Sequence, residues 1–514
     1  MEKPVRATEK AAPVVGFVSL GCPKNLVDSE VMMGLLDRAG ARLTARPEEA
    51  EILVVNTCSF IDTAKQESVD AILEMARHKT AGAARKLIVA GCLVERYRDE
   101  IQKNIPEVDA VVGTGELESI LEAAGIAPVP AAPALFNILA NDGGGDTRPG
   151  RESQSGTHKP RPEASSFRAE GDVREQQGRF SRNDWQGARH LLPTYLYDET
   201  TPRMLATPRA SAYIKIAEGC DHPCSFCIIP NLRGKFRSRR FESVVAEARQ
   251  LVARGVEEIT LIGQDTTCYG EDLGLKDGLA TLLDALAGIE GLRWLRFLYA
   301  YPNRITGRLL ETIAKHDNIC KYLDVPLQHA SPGVLKRMKR GAGAEIFLKT
   351  IEKVRAAVPG IALRTSFIVG FPGECASDFE VLEQFIADAK FDWLGVFSYS
   401  DEEGAGARGL DAKIPRRTTE ARRRRLMKLQ QRISREAKQQ WVGREVVLLA
   451  EGESEETPLL WEGRTEFHAP EIDGKVYIND FGELAGLEAG RFYRAQITEA
   501  HDYDVVARVV GEPL

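Results

Sequence analysis

The sequence predicts an α/β protein with three ordered parts: an N-terminal parallel α/β domain, a partial (β/α)6 barrel and a small C-terminal antiparallel β-barrel. Three observations predict this fold class. Apolar runs alternate with helix-like stretches in residues 14–126, six further strand–helix units occupy residues 208–440, and short strands alternate with turns in residues 441–510. Alternation of strands and helices is typical of parallel sheets with right-handed crossovers. A chain of 514 residues is long enough for three or four domains.

Every strand-like run of the first domain ends at a cysteine. Cys58 follows Cys22 by 36 residues and Cys92 follows Cys58 by 34, and each interval is about one strand–helix unit. Since open α/β sheets bind ligands at the carboxyl ends of their strands, we expect the three thiols to converge there. The alternative is that they are small buried side chains without a chemical role. The runs are Val14–Gly21 before Cys22, Glu51–Thr57 before Cys58 and Lys86–Gly91 before Cys92.

Residues 127–207 separate the two α/β regions and have a different character. After Asn141-Asp142-Gly143-Gly144-Gly145-Asp146 comes a mixture of Ser, Pro, Gln, Arg and Glu without sustained periodicity. Such a composition buries too little apolar surface to offset the entropy of the chain. We therefore predict a low-complexity, disordered linker, in which residues 179–197 could dock on a neighbouring domain.

The second region contains six strand-like runs, and a partial barrel of this kind carries its chemistry at the carboxyl ends of the strands. These ends are polar or rich in Gly and Pro, as a site requires. They carry Cys220, Gln264-Asp265, Tyr301-Pro302, Gln328-His329, Gly370-Phe371-Pro372-Gly373 and Tyr399. A basic helical connector over residues 413–440 leads to residues 441–510, where turns such as Asp473-Gly474 predict a barrel of about five strands.

The composition predicts a cytoplasmic protein. No apolar run is long enough to span a bilayer, and no secretory signal is evident after Met1. Disulfides are rare in the cytoplasm, and nine cysteines are an odd number for a disulfide framework. The cysteines therefore call for another explanation.

Cys220, Cys224 and Cys227 form a Cys-x3-Cys-x2-Cys motif directly after the first strand of the second domain. Structural zinc usually takes four ligands in two short pairs, and no partner pair lies nearby in sequence, although His222 is a possible fourth ligand. Three thiolates suit a [4Fe–4S] cluster in which one iron has no protein ligand. Cys22, Cys58 and Cys92 suit a second cluster of the same kind, and we interpret the remaining cysteines as structural. These are Cys268, Cys320 and Cys375.

The motif, which ends in Phe226-Cys227, resembles the signature of the radical S-adenosylmethionine superfamily. The resemblance implies that the open iron binds S-adenosylmethionine and that the reduced cluster cleaves it to methionine and a 5′-deoxyadenosyl radical. Such a radical removes hydrogen from an unactivated carbon, and the protein orients the cofactor and excludes water. It also implies contacts from Gly263 and Gln264, after the second barrel strand, and from Gly370, after the fifth. Glycines at these places are equally expected in turns.

The order of the three domains resembles the methylthiotransferase family of radical S-adenosylmethionine enzymes, over nearly the whole chain apart from the linker. This resemblance implies that the second cluster supplies the sulfur of the methylthio group and that an electron donor such as flavodoxin or ferredoxin serves the enzyme. It also implies that the C-terminal barrel, which is similar to the TRAM module, binds substrate.

Two branches of that family differ in substrate: one modifies an adenosine next to the tRNA anticodon, the other the β-carbon of an aspartate in ribosomal protein uS12. Three stretches resemble the uS12 branch, and the closing His501-Asp502-Tyr503-Asp504 does so too. The tRNA branch usually has Gln-Ser-Gly-Ser where this chain has Gln328-His329-Ala330-Ser331. The three stretches are Leu20-Gly21-Cys22-Pro23-Lys24-Asn25-Leu26-Val27-Asp28-Ser29-Glu30, Lys215-Ile216-Ala217-Glu218-Gly219-Cys220 and Leu323-Asp324-Val325-Pro326-Leu327-Gln328-His329-Ala330-Ser331.

Charge favours the protein substrate, either free or on the small ribosomal subunit. Residues 441–514 contain six Lys or Arg and sixteen Asp or Glu, a formal charge of −10. RNA binding normally needs cationic groups, so an acidic barrel disfavours tRNA and suits a basic ribosomal protein, unless the acidity serves solubility alone. A metal-binding or electron-transfer module without radical chemistry is the alternative from another functional class.

Overall fold

The computed structural model describes residues 12–127, 193–457 and 459–514. Most of the predicted linker, residues 128–192, therefore lies outside the described residues. The N-terminal domain is a parallel sheet of five strands in the order β2-β1-β3-β4-β5. The three predicted strands are present, and two strands of three residues each, too short to show periodicity, were not predicted. The elements are β1 Val14–Ser19, α1 Pro23–Arg38, β2 Arg42–Thr44, β3 Ile52–Thr57, α2 Asp62–Ala81, β4 Lys86–Gly91, α3 Cys92–Asn104, β5 Ala110–Val112 and α4 Ile120–Ala124.

The second domain contains the six predicted strands, all paired in parallel, as two sheets in the orders β10-β9-β6 and β11-β12-β13. A parallel bridge between Leu295 and Ile319 joins the sheets, so the strands follow one another in chain order around a partial barrel. The predicted fold class of this domain is confirmed. Its elements are β6 Ser211–Lys215, β7 Ala217–Glu218, α5 Ile229–Arg233, β8 Arg237–Ser238, α6 Phe241–Ala253, β9 Glu258–Ile262, α7 Gly278–Ala287, β10 Trp294–Phe297, α8 Gly307–Lys315, β11 Tyr322–Asp324, α9 Pro332–Arg337, α10 Ala344–Ala357, β12 Ala362–Val369, α11 Ala376–Ala389 and β13 Trp393–Ser398.

The connector is the helix α12, Arg416–Gln439, and the chain then closes a barrel of five strands in the order β14-β15-β16-β18-β17. The number of strands and the closure agree with the sequence. One pair, β16 with β18, is parallel, because β17 pairs with β14 on the far side and β18 returns between β17 and β16. Among the described residues, no helix has the length and apolarity needed to cross a membrane. The strands are β14 Glu445–Glu453, β15 Trp461–Thr465, β16 Val476–Asp480, β17 Phe492–Ala500 and β18 Val505–Pro513.

The C-terminal barrel docks against the amino-terminal ends of the strands of the second domain. Arg464 of the barrel pairs with Glu258, the first residue of β9, and donates to the Ser211 hydroxyl at 2.9 Å. The indole N–H of Trp393, the first residue of β13, donates to the Phe467 carbonyl at 2.7 Å. The barrel therefore lies at the edge opposite to the one that carries the cysteines.

Residues 193–207 correct one end of the predicted linker, because they are packed between the two α/β domains. Arg203 pairs with Glu30 of α1 at 2.5 Å and with Glu247 of α6 at 2.7 Å. Tyr197 is 2% exposed, and its hydroxyl lies 3.3 Å from the Glu247 carboxylate. Docking of residues up to 197 on a neighbouring domain was expected, whereas residues 198–207 were missed because their contacts are made by single residues of an extended chain, which leave no helical or strand periodicity.

Candidate functional site

The three N-terminal thiols converge where β1, β3 and β4 end. Cys22 lies shortly after β1, which ends at Ser19, Cys58 directly follows β3, and Cys92, the first residue of α3, directly follows β4. Gly21 has a φ of +90°, and a Cβ at this position would lie 2.8 Å from the Cys58 Cβ and 3.1 Å from its sulfur. Only glycine both adopts this conformation readily and leaves room for the cysteine. The predicted convergence is therefore built into the backbone.

Burial and mutual repulsion act on these thiols together. Burial raises the pKa of Cys92 to about 12, Arg233 opposes the rise, and the sulfurs of Cys58 and Cys22 add to it. Burial also raises the pKa of Cys58, and Cys22 again adds to the rise. Burial therefore favours the neutral form of Cys58 and Cys92, and iron bound at this site would deprotonate them. All nine cysteines of the chain are free, so the trio is available as soft ligands.

The second trio lies in the loop between β7 and α5. Gly219, which precedes Cys220, has a φ of +79°, and a Cβ there would overlap the backbone of Lys235. Ser225, in the middle of the loop, is held by its neighbours: its N–H donates to the Met338 carbonyl at 3.0 Å and its own carbonyl accepts from Ala407 N–H at 2.7 Å. The loop is thus fixed on both sides by the rest of the domain.

The sulfurs of this loop have hydrogen-bond donors nearby. Arg340 Nη1 lies 3.5 Å from the Cys224 sulfur, and the backbone N–H of Ile229 donates to the Cys227 sulfur at 3.5 Å. Burial raises the pKa of Cys220 to about 11 and that of Cys227 to about 12, and the Cys224 sulfur adds to both. Three half-buried thiols with donors around them fit a [4Fe–4S] cluster with one open iron.

His222 lies inside the same loop and is occupied by other contacts. Its Nε2 lies 2.6 Å from the Asp265 carboxylate, and its ring stacks on Tyr301 with centroids 3.9 Å apart and an interplanar angle of 9°. Arg340 lies over Tyr301, 4.4 Å from its centroid. Cys268 donates to the same Asp265 carboxylate at 2.9 Å. These contacts tie the loop to the ends of β9 and β10.

Three family models match the chain in the order of its domains. They are described as "Uncharacterized protein family UPF0004" for residues 14–113, "Radical SAM superfamily" for residues 214–386 and "TRAM domain" for residues 442–510. The ribosomal protein uS12 methylthiotransferase RimO of Koribacter versatilis is 66% identical over 96% of this chain and 96% of its own. Its counterpart in Solibacter usitatus is 54% identical over 97% and 95%. The chain belongs to the ribosomal protein uS12 methylthiotransferase family.

Among solved structures, the radical S-adenosylmethionine methyltransferase TsrM of Kitasatospora setae is similar to this methylthiotransferase family member with a TM-score of 0.48. The two are 16% identical, and the similarity covers 77% of this chain and 74% of that one.

Two of the predicted cofactor contacts lie at the interface of the two α/β domains. The Gly263 carbonyl accepts from Lys24 Nζ of the N-terminal domain at 3.4 Å. Gln264 Nε2 donates to the Glu218 carboxylate at 2.6 Å, whereas its buried Oε1 has no hydrogen-bond partner among the described residues. A buried acceptor without a donor is costly unless a ligand supplies one. Gln264 therefore stays a predicted contact of S-adenosylmethionine in this methylthiotransferase.

Gly370 has a clear structural reason to be glycine. Its φ is +77°, and a Cβ would lie 2.8 Å from the Cβ of Thr419 in α12. Its N–H donates to the Glu374 carboxylate at 2.5 Å. The close approach at Gly370 is therefore to the connector helix, and its contact with S-adenosylmethionine stays a prediction.

Sequence reasoning missed a buried set of charged residues that lies between the two trios. We call it the interdomain charge cluster, because side chains of both α/β domains form ion pairs in it. Lys215 Nζ lies 2.5 Å from Asp28 and 2.6 Å from Glu218, and Arg233 Nη1 lies 2.7 Å from Asp28 and 3.1 Å from Glu218. The sequence contained one signal of such a cluster, because Lys215 is a charged residue in a strand whose residues are all buried. Its partner Asp28 is distant in sequence and could not be chosen from spacing. The interdomain charge cluster consists of Asp28, Lys215, Glu218 and Arg233.

The remaining cysteines have separate places. Cys268 and Cys320 are buried, and Cys375 is exposed at the start of α11, where its sulfur lies 2.9 Å from Asp378. Cys268 lies closest to a trio, because it shares the Asp265 carboxylate with His222 of the second trio's loop. This placement is consistent with the structural role expected for all three.

Proposed function

We propose that this protein transfers a methylthio group to the β-carbon of an aspartate in ribosomal protein uS12. The observation that carries the proposal is the placement of two trios of free cysteines on the two sides of one buried interface, one trio where β1, β3 and β4 end and the other in the loop after β7. Membership of the uS12 methylthiotransferase family supports the substrate. We choose uS12 rather than tRNA on these grounds, together with the acidity of the barrel.

The residues that would hold the cofactors follow from the two trios. Cys220, Cys224 and Cys227 would ligate the cluster that binds S-adenosylmethionine, and Cys22, Cys58 and Cys92 would ligate the second cluster. When bound, the two [4Fe–4S] clusters and S-adenosylmethionine supply the radical, the sulfur and the methyl group. A small reductant protein of the flavodoxin or ferredoxin class would supply the electron.

The chain's own residues position and shield this chemistry. Arg340 places a cation beside the Cys224 sulfur and over the Tyr301 ring, and Tyr301 covers His222. These stacked planar groups form a wall next to the second trio. Gln264 follows the end of β9, and its buried Oε1, which has no hydrogen-bond partner among the described residues, is available to accept from S-adenosylmethionine. Exclusion of water by such a wall protects a reactive radical from side reactions.

The acidic barrel is suited to bind a basic ribosomal protein through a part that lies far from the reacting aspartate. Its exposed carboxylates include Glu453, Glu455, Glu456 and Glu483. Because the barrel docks at the edge opposite to the cysteines, it would bind a part of uS12 or of the small subunit remote from the modified residue. Complementary charge of this kind accelerates association and selects partners.

Transfer of a labelled methyl group tests the proposal. The anaerobically reconstituted protein, with a chemical reductant and S-adenosylmethionine labelled in its methyl group, is offered free uS12, small ribosomal subunits or tRNA. We expect label on one aspartate of uS12, found by mass spectrometry of its peptides, and none with the variant Cys58→Ala. Cys375→Ser, a change outside both trios, is the matched control and should keep transfer. Label in tRNA with none in uS12 would overturn the choice of substrate.

A further inference from the structure

Arg233 belongs to the second domain but its guanidinium reaches the thiol trio of the first. It is the last residue of α5, which begins two residues after Cys227, and it is 2% exposed. Its Nη2 lies 3.5 Å from the Cys92 sulfur and 3.3 Å from the Asn25 side-chain oxygen. One side chain therefore connects a ligand-bearing loop of one domain with a candidate ligand of the other.

The helix that carries Arg233 is seated against the N-terminal domain. Cys92 packs with Ile228 and Leu232 in a small buried cluster of their own. The Thr114 hydroxyl donates to the Leu232 carbonyl at 3.1 Å. Since Ile228 and Leu232, which precede Arg233 in the chain, are held against the N-terminal domain, the Arg233 guanidinium is positioned beside Cys92.

Buried cations lie around the N-terminal trio. Arg233 and Lys215 are matched by Asp28 and Glu218 within the interdomain charge cluster. Lys24, 8% exposed, adds one further positive charge near Cys22. An oxidised [4Fe–4S] cube held by three thiolates carries one net negative charge. A cube in the N-terminal trio would therefore be attracted by Arg233 and Lys24.

We propose that Arg233 is a positioning residue for the N-terminal cluster, donating to the Cys92 thiolate and supplying the positive charge that keeps the cluster bound and reducible. The inference rests on the proposed function, because it takes the N-terminal trio as cluster ligands. It adds that the second domain completes the cluster site of the first, so the N-terminal domain alone holds its cluster weakly.

The test isolates the N-terminal cluster in a full-length parent protein with Cys220, Cys224 and Cys227 changed to Ala. Arg233→Gln and Arg233→Lys are compared with Arg239→Gln, the matched control. Arg239 is also 2% exposed, but it pairs with Glu247 and donates to the Ser243 hydroxyl. The measurements are iron per chain, the rate of iron loss to a chelator, and the midpoint potential from a redox titration followed by electron paramagnetic resonance.

Arg233→Gln should release iron about 10- to 100-fold faster, as expected when a partner of a metal ligand is lost. Its midpoint potential should be more negative, because the reduced cluster loses a nearby cation. Arg233→Lys keeps the charge and should fall between the parent and Arg233→Gln, and Arg239→Gln should match the parent. Equal behaviour of Arg233→Gln and the parent, or equal loss of iron in Arg233→Gln and Arg239→Gln, would overturn the inference. A parent without any cluster would instead contradict the proposed function itself.

Discussion

Lys24 of the N-terminal domain places its ammonium 3.5 Å from the centre of the Tyr299 ring in the second domain. The same ammonium lies 3.4 Å from the Gly263 carbonyl. Burial opposes the charge, but Tyr299 and Cys22 outweigh it and raise the pKa of Lys24. The cation is thus held between the N-terminal thiols and the strand end where S-adenosylmethionine is expected to bind. Lys24 therefore holds the two halves of the proposed site in a fixed relative position.

Lys24→Met should uncouple the two halves. Loss of the cation removes the contact with Tyr299 and with the Gly263 carbonyl, so the trios are no longer held in fixed register. Since small displacements of reacting groups are costly, we expect methylthio transfer to fall roughly tenfold or more. Cleavage of S-adenosylmethionine, which uses the second trio and not the N-terminal one, should change little. The two rates are measured in the same reaction mixture.

Lys438→Met is the matched control for that change. Lys438 is also a buried lysine over an aromatic ring, 3.6 Å from the centroid of Trp393, but it lies at the interface with the C-terminal barrel. Lys438→Met should leave both the cleavage of S-adenosylmethionine and the methylthio transfer unaffected. Equal loss of cleavage and transfer in Lys24→Met would show that Lys24 supports the fold rather than the register of the two halves.

Gly219→Ala should remove the second cluster selectively. The added methyl group would overlap the Lys235 backbone, and φ at this position is +79°, so the loop before Cys220 must move. The N-terminal trio lies on another domain, so the purified variant should retain roughly half of the wild-type iron. Gly409→Ala, where a Cβ would meet no atom within 4 Å, is the control and should keep all of it. Full iron content in Gly219→Ala would contradict the role given to this loop.

Glu218→Gln should destabilise the protein through the interdomain charge cluster. Burial opposes ionisation of this carboxyl, but Arg233 and Lys215 hold its pKa below the usual range. Removing one partner of a buried ion pair leaves an uncompensated charge, which costs about 3–5 kcal/mol. Denaturant unfolding of the apoprotein measures the change. Glu345→Gln removes an exposed pair with Lys349 and should have no measurable effect; an equally small effect of Glu218→Gln would refute the prediction.

Raising the pH should stabilise the wild-type protein relative to Lys438→Met. Burial lowers the pKa of Lys438 from 10.5 to about 8, against the opposing effect of Asp392. Between these values the unfolded chain holds a proton that the folded chain has released, so the free energy of unfolding increases with pH. The gain across the window is at most about 3 kcal/mol, because the Trp393 ring favours the cation. Thermal unfolding of both proteins at several pH values from 7 to 10 measures the difference; a constant difference would contradict the prediction.

The sequence allowed the strand ends and the convergence of the N-terminal thiols to be predicted because both are local signals, whereas the role of the six cysteines as cluster ligands stays a prediction. Apolar runs that end at Cys22, Cys58 and Cys92 place three thiols at one sheet edge, and the structure brings them there. The pairing of β16 with β18 and the short strands β2 and β5 were not predictable, since they depend on chain closure and on neighbours rather than on periodicity.

The interdomain contacts were beyond the reach of sequence patterns for a different reason. Arg233 lies 141 residues from Cys92, and Lys24 lies 239 residues from Gly263. A charged residue in an apolar context shows that a partner must exist, but it does not identify the partner. Only the packing of the two domains does so.

The most direct test of the two-cluster account is iron and sulfide analysis of two complementary triple variants, with transfer to uS12 measured on the same samples. One variant changes Cys22, Cys58 and Cys92 to Ala, and the other changes Cys220, Cys224 and Cys227 to Ala. We expect about four irons per chain in each variant, about eight in the wild type, and methylthio transfer by the wild type alone. A triple variant that keeps the full iron content, or that still modifies uS12, would contradict the account.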